Sequence, residues 1–67
     1  MNLSVNGEVH QLPEGSNLEG LLESLGLLSR KGLAVALNQS VVPRDAWSEC
    51  SLSESDTVLI IQATQGG

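Results

Sequence analysis

The spacing of hydrophobic residues changes repeatedly along this chain, and each change predicts an element. Near the start, Leu3 and Val5 alternate with Asn2, Ser4 and Asn6, the period of two expected for a strand with one covered face. Asn6-Gly7 is a favoured pair for a two-residue type I′ turn, which needs positive φ at both positions. A return strand over 8–12 carries Val9, so 2–12 reads as a β-hairpin. Pro13-Glu14-Gly15 then breaks the sheet.

The spacing next becomes helical. Leu18, Leu21, Leu22 and Leu25 stand at i, i+3, i+4 and i+7, a single apolar stripe with Glu19, Glu23 and Ser24 on the other side. Ser16-Asn17-Leu18-Glu19 fits the capping box, which predicts Ser16 as N-cap and Glu19 as its N3 partner. Gly26 is placed to end the helix. A loop with Ser29, Arg30, Lys31 and Gly32 follows. Residues 33–38 return to strand alternation, with Leu33, Val35 and Leu37 on one face and Ala34 and Ala36 on the other. A turn at Asn38-Gln39-Ser40 leads to a short strand at Val41-Val42, stopped by Pro43. Residues 44–50 have room for one irregular helical turn, and 51–56 are polar apart from Leu52. In 57–63 the run Val58, Leu59, Ile60, Ile61 is apolar on both faces, which predicts a central strand with a parallel neighbour. Residues 64–67 are expected to be a flexible tail.

The order β-β-α-β-(β)-β can close into one sheet with a helix across one face and the first and last strands side by side. The expected class is α+β, in the β-grasp or ubiquitin-like arrangement. The sheet would be mixed, of four to five strands, with a free C-terminal tail. With 67 residues, one domain over 1–67 is expected. A chain this short buries roughly 60% of its unfolded surface and has little room for an enclosed catalytic pocket. That tilts the reading toward a binding or carrier module.

Composition narrows the partners. Eight Asp and Glu oppose three Lys and Arg, a net charge of −5, which disfavours phosphate backbones and suits a basic cleft on a protein. Phe and Tyr are absent and Trp47 is the single aromatic residue, so Leu, Val, Ile and Ala must build the core. No run approaches the ~18 apolar residues of a membrane span. The N-terminus has no basic stretch followed by an apolar one. The expected location is therefore the cytoplasm. Cys50 is the sole cysteine, too few for an internal disulfide or a thiolate metal site; it reads as a small packing residue. His10, the lone histidine, reads as a surface imidazole. No catalytic constellation or metal-ligand spacing appears, and the chain is not expected to be an enzyme.

The C-terminal Gly66-Gly67 has two readings. One is an ordinary frayed end. The other is a slender arm, leaving a rigid strand, that enters a narrow partner channel and presents a terminal carboxylate. A carboxylate is a poor electrophile. Conversion to an acyl-adenylate supplies a leaving group that a sulfur nucleophile can displace, and the partner would provide magnesium and cationic groups for the phosphates. Leu59 and Ile61 face away from Val58 and Ile60, and are either a partner-binding patch or the floor of a loop or dimer contact.

Leu37-Asn38-Gln39, Val42-Pro43-Arg44 with Trp47, the Asp56-x-Val58-x-Ile60 entry and the terminal Gly66-Gly67 resemble the ThiS family of thiamine-biosynthesis sulfur carriers, among the ubiquitin-like carriers. These residues cover the second half of the chain, and the first half matches in layout. The Ser53-Glu54-Ser55-Asp56 turn lacks a glycine common in relatives, and Thr64-Gln65 is polar where relatives often carry an apolar or small residue. The resemblance implies that a ubiquitin-activator-like enzyme adenylates Gly67, contacting the tail at Gln65, Gly66 and Gly67. Sulfur from a cysteine desulfurase or other persulfide donor then gives a thiocarboxylate for thiazole synthase. It also implies that ATP and magnesium belong to the partner, that this chain binds no cofactor or metal, and that the free carrier is a monomer. The small subunit of molybdopterin synthase uses the same terminal chemistry, but such relatives tend to be longer and richer in Phe. A β-grasp interaction module with incidental glycines is the reading from another class. Trp47 could be a lid over the core edge or a contact residue, and Arg44 could cap carbonyls or pair with an acid.

Overall fold

The computed structural model describes residues 1–63. They form a mixed sheet crossed on one face by a helix: β1 (Asn2–Val5), β2 (Glu8–Gln11), α1 (Leu18–Ser24), β3 (Leu33–Leu37), β4 (Ser40–Val41), a 3₁₀ segment (Arg44–Glu49) and β5 (Thr57–Gln62). The strand order is β2-β1-β5-β3-β4. β5 lies in the centre, parallel to β1 and antiparallel to β3. This is the β-grasp arrangement, with β5 central and parallel to β1 as the apolar run Val58 to Ile61 predicts.

Both hairpins turn on two left-handed residues. Asn6 and Gly7 have φ of 52° and 85°, as the type I′ turn requires. The β3–β4 turn uses Asn38 and Gln39 at φ 50° and 74°, without a glycine. The two asparagines do more than turn the chain. Asn6 Oδ1 accepts from the Ile60 N–H at 2.7 Å, and Asn6 Nδ2 donates to the Ile60 carbonyl at 3.2 Å. The side-chain amide thus imitates one more residue of β1 along β5. On the other edge, Asn38 Oδ1 accepts from the Thr57 N–H and Asn38 Nδ2 donates to Asp56 Oδ1, both at 2.9 Å.

The helix begins where the leucine stripe predicts, but its cap is corrected. Asn17, not Ser16, is the N-cap, its Oδ1 accepting from the Gly20 N–H at 2.8 Å. Ser16 is committed elsewhere: its hydroxyl donates to the Pro13 carbonyl at 2.7 Å, and its carbonyl accepts from the Leu52 N–H at 3.0 Å. Glu19 consequently has no capping-box partner. At the other end, the Gly26 N–H donates to the Glu23 carbonyl and the Leu27 N–H to the Leu22 carbonyl, the two bonds of a Schellman motif.

Leu18, Leu21 and Leu22 are fully buried against Leu3, Val5, Val35 and Val58 of the sheet. Trp47 and Leu52 close the edge of this cluster. Trp47 is a lid: its ring is 2% exposed, its indole N–H donates to the Val42 carbonyl at 2.9 Å, and the Arg44 guanidinium lies 4.7 Å from the ring centroid. The turn before β5 places Ser55, a non-glycine residue, at φ 70°. An L residue bears roughly 1–2 kcal/mol of strain there.

Replacing Asn38 with Ala removes its contacts to Asp56 and to Thr57 of β5 and leaves a left-handed alanine. A loss of roughly 2 kcal/mol in urea unfolding is expected. Asn38→Gly, which tolerates the backbone, should lose less. Ser55→Gly should raise the urea midpoint through relief of strain.

Candidate functional site

The two faces of the sheet have different fates. Residues pointing toward α1 are Leu3 and Val5 of β1, Val35 of β3, and Val58 and Ile60 of β5, all buried or half-buried. The opposite face carries no covering layer among the described residues. On it, register places Leu59 beside Ala36, and Ala36 beside Val41 of β4. One step nearer the tail, Ile61 pairs with Ala34. Val41, Leu59 and Ile61 are 76%, 49% and 55% exposed. The result is a contiguous apolar surface across β4, β3 and β5. Toward the β1–β2 turn it runs into an open groove of about 330 Å³ lined by Asn6, Gly7, Ala36, Gln39, Thr57, Val58 and Leu59.

The structure therefore places Leu59 and Ile61 where strand alternation puts them, exposed and on one face. Ala34 and Ala36 were also legible as the second face of their strand. Val41 was not assigned to the surface from the sequence. Its place depends on the two-residue turn at Asn38-Gln39, which fixes the β3–β4 register, and that turn lacks the glycine that signals it most clearly.

The surface lies on the strand that leads toward the C-terminus. The last described residue, Ala63, donates its N–H to the Gly32 carbonyl at 2.9 Å. Gly32 has φ +74°, and a Cβ built there would meet the Ala63 Cβ at 3.4 Å. The α1–β3 loop thus holds the chain where β5 ends. Gln65, Gly66 and Gly67, expected to meet the activating enzyme, lie outside the described residues, as does the whole tail 64–67.

No competing chemistry assembles among the described residues. No three His, Cys, Asp or Glu side chains gather as metal ligands would. His10 is half-buried on β2 opposite Leu3. Cys50 is half-buried against the core cluster, and burial, reinforced by the nearby Asp56 charge, pushes its thiol pKa up. A thiol so placed is held in its weakly nucleophilic protonated form near neutrality. No described helix is long and apolar enough to cross a membrane.

The sequence profile of the ThiS family matches residues 3–67. This chain belongs to the ThiS family. It is 33% identical over its full length to the sulfur carrier protein ThiS of Escherichia coli K12, whose whole length it covers. It is also 37% identical to a thiazole synthase of Magnetococcus marinus and 33% identical to one of Paramagnetospirillum magneticum. All 67 residues align in both cases, yet the chain spans only 20% of each synthase. Among solved structures, the crystal structure of a thiamine biosynthesis protein (ThiS) from Geobacter metallireducens matches with a TM-score of 0.84 and 30% identity, each chain fully covered. An NMR structure of a thiamine biosynthesis protein from the same organism matches with a TM-score of 0.79, all of this chain covering 88% of that one. The family's β-grasp fold is thus matched along the whole chain.

The separation of faces gives a direct check. Leu59→Asp should change thermal stability by less than about 1 kcal/mol, because its side chain already meets water. Val58→Asp, one residue earlier and 1% exposed, should leave no folded protein by circular dichroism.

Proposed function

We infer that this chain is a sulfur carrier of thiamine biosynthesis, working through the carboxylate of Gly67. The observation that carries the reading is full-length similarity to a sulfur carrier combined with a terminal Gly66-Gly67. The similarity of the same residues to a fifth of two thiazole synthases supports thiazole synthase as the sulfur acceptor. It also favours thiamine over the molybdopterin reading.

An adenylating enzyme related to ubiquitin activators binds the apolar surface around Leu59 and Ile61 and takes the tail into its channel. Gly66 and Gly67 suit a narrow channel because neither carries a Cβ, and Gln65 contacts its mouth. There the Gly67 carboxylate attacks the α-phosphate of ATP, releasing pyrophosphate and forming a glycyl-adenylate. Magnesium and cationic side chains of the enzyme stabilise the phosphates; the carrier itself contributes no cofactor. A persulfide, drawn from a cysteine desulfurase, displaces AMP to give an acyl disulfide. A thiol then cleaves the S–S bond and leaves a C-terminal thiocarboxylate. Its sulfur is largely ionised near neutral pH and is the nucleophile delivered to thiazole synthase. The use of ATP sets these steps in the cytoplasm, with the carrier a monomer between partners.

Deletion of Gly67 should abolish ATP–pyrophosphate exchange by the adenylating enzyme while the far-UV spectrum and melting temperature stay as in the intact chain. Exchange at an undiminished rate would refute the assignment. In protein from sulfur-replete cells, mass spectrometry should find one oxygen replaced by sulfur at Gly67.

A further inference from the structure

The three Lys and Arg residues of the protein meet at one loop. Arg30 and Lys31 lie in the α1–β3 loop, and Arg44 reaches back to that loop, Nη1 donating to the Leu28 carbonyl at 3.0 Å and Nη2 to the Arg30 carbonyl at 2.6 Å. The Arg30 N–H is itself bonded to the Leu27 carbonyl at 3.0 Å, and the Gly32 carbonyl is bonded to Ala63. The loop is thus fixed at one end by Arg44, stacked on the buried Trp47, and at the other by the end of β5. No Asp or Glu occurs between 24 and 44 or after 56. Among the described residues, neither Arg30 nor Lys31 is in an ion pair, and both are exposed. An otherwise acidic domain therefore carries a small, braced positive pole where the tail begins.

We propose that Arg30 and Lys31 dock on carboxylate side chains flanking the channel through which the adenylating enzyme takes the tail. The inference rests on the carrier reading above and names a contact within it. Chain length separates carboxylates from the other anion available, the nucleotide. Four residues follow Ala63; on the carrier reading the channel takes them in extended form, which carries Gly67 up to about 14 Å from Ala63. The triphosphate must meet Gly67 at the far end of that span, whereas the loop sits at its root. The loop's anionic partner is thus at the channel mouth. Solvent-exposed charge pairs contribute little to affinity but steer encounter and fix orientation. The negative remainder of the domain, facing a basic surface, and this positive pole, facing an acidic one, together define a single docking direction.

The test is the association rate of the full-length carrier with its own organism's adenylating enzyme, measured by stopped flow across a series of salt concentrations. R30Q/K31Q should lower the rate about three- to tenfold at low salt and flatten its salt dependence. Its melting temperature and the KM for ATP should not change. Q11E/S48E, which adds the same negative charge at exposed sites elsewhere, should produce no such drop. An unchanged rate for R30Q/K31Q, an equal loss in Q11E/S48E, or a loss appearing instead as a raised KM for ATP would each overturn the proposal. The intact carrier is the reference. If it is adenylated and only the charge variants behave otherwise than expected, this contact alone is wrong. If it is not adenylated at all, the carrier reading fails and this contact with it.

Discussion

A strand with hydrogen-bonding neighbours on both sides must have both edges satisfied, and in this chain the strand under that constraint is the last one. β5 lies between β1 and β3 and locks them to each other. Backbone pairing covers only part of its length: β1 meets it at Ser4 and Val5 alone. Asn6 extends the parallel edge by answering both polar groups of Ile60, and Asn38 secures the antiparallel edge at Asp56 and Thr57. Each asparagine also occupies a left-handed turn position, which this residue type tolerates better than most. One residue type thus meets two demands, turning a hairpin and terminating a ladder.

Much of this was legible in the sequence because it follows from periodicity. Alternation located β1 and β3, the leucine spacing located α1, and the unbroken apolar run marked β5 as central. Exposure of Leu59 and Ile61 follows from the same alternation once Val58 is assigned inward. What was not legible depends on long-range partners. Ser16 and Asn17 are both good capping residues. Asn17 caps because Ser16 is bonded to Pro13 and paired with Leu52, a residue far away in sequence. Likewise, the braced loop required knowing that Arg44 folds back over Trp47. Local reasoning left Arg44 with a choice between carbonyls and an acid, and tertiary packing chose the carbonyls.

The sheet divides its labour between its faces. The inner face, with α1 and Trp47, contains the buried apolar side chains that hold the fold together. The outer face contributes little to stability and is free to be apolar for another purpose. On the carrier reading, the chemistry at Gly67 needs nothing from the core except a fixed point of departure. Charge follows the same logic. Acids are spread over β2, α1, the 3₁₀ segment and the turn before β5, while the cations stand together beside the end of β5.

The position of β5 also has a mechanical meaning. On the carrier reading, a partner that draws the C-terminus into a channel pulls along the axis of this strand. The hydrogen bonds to β1 and β3 run across that axis on either side, so the load falls on them together, in shear, rather than one after another as when an edge strand is peeled away. The amide clamps of Asn6 and Asn38 sit on the same strand and share the load. A terminus attached to β2 or β4 would transmit the same pull to an unzipping edge. Growing the tail from the middle of the sheet lets it be gripped, threaded and released while the body that partners recognise keeps its shape.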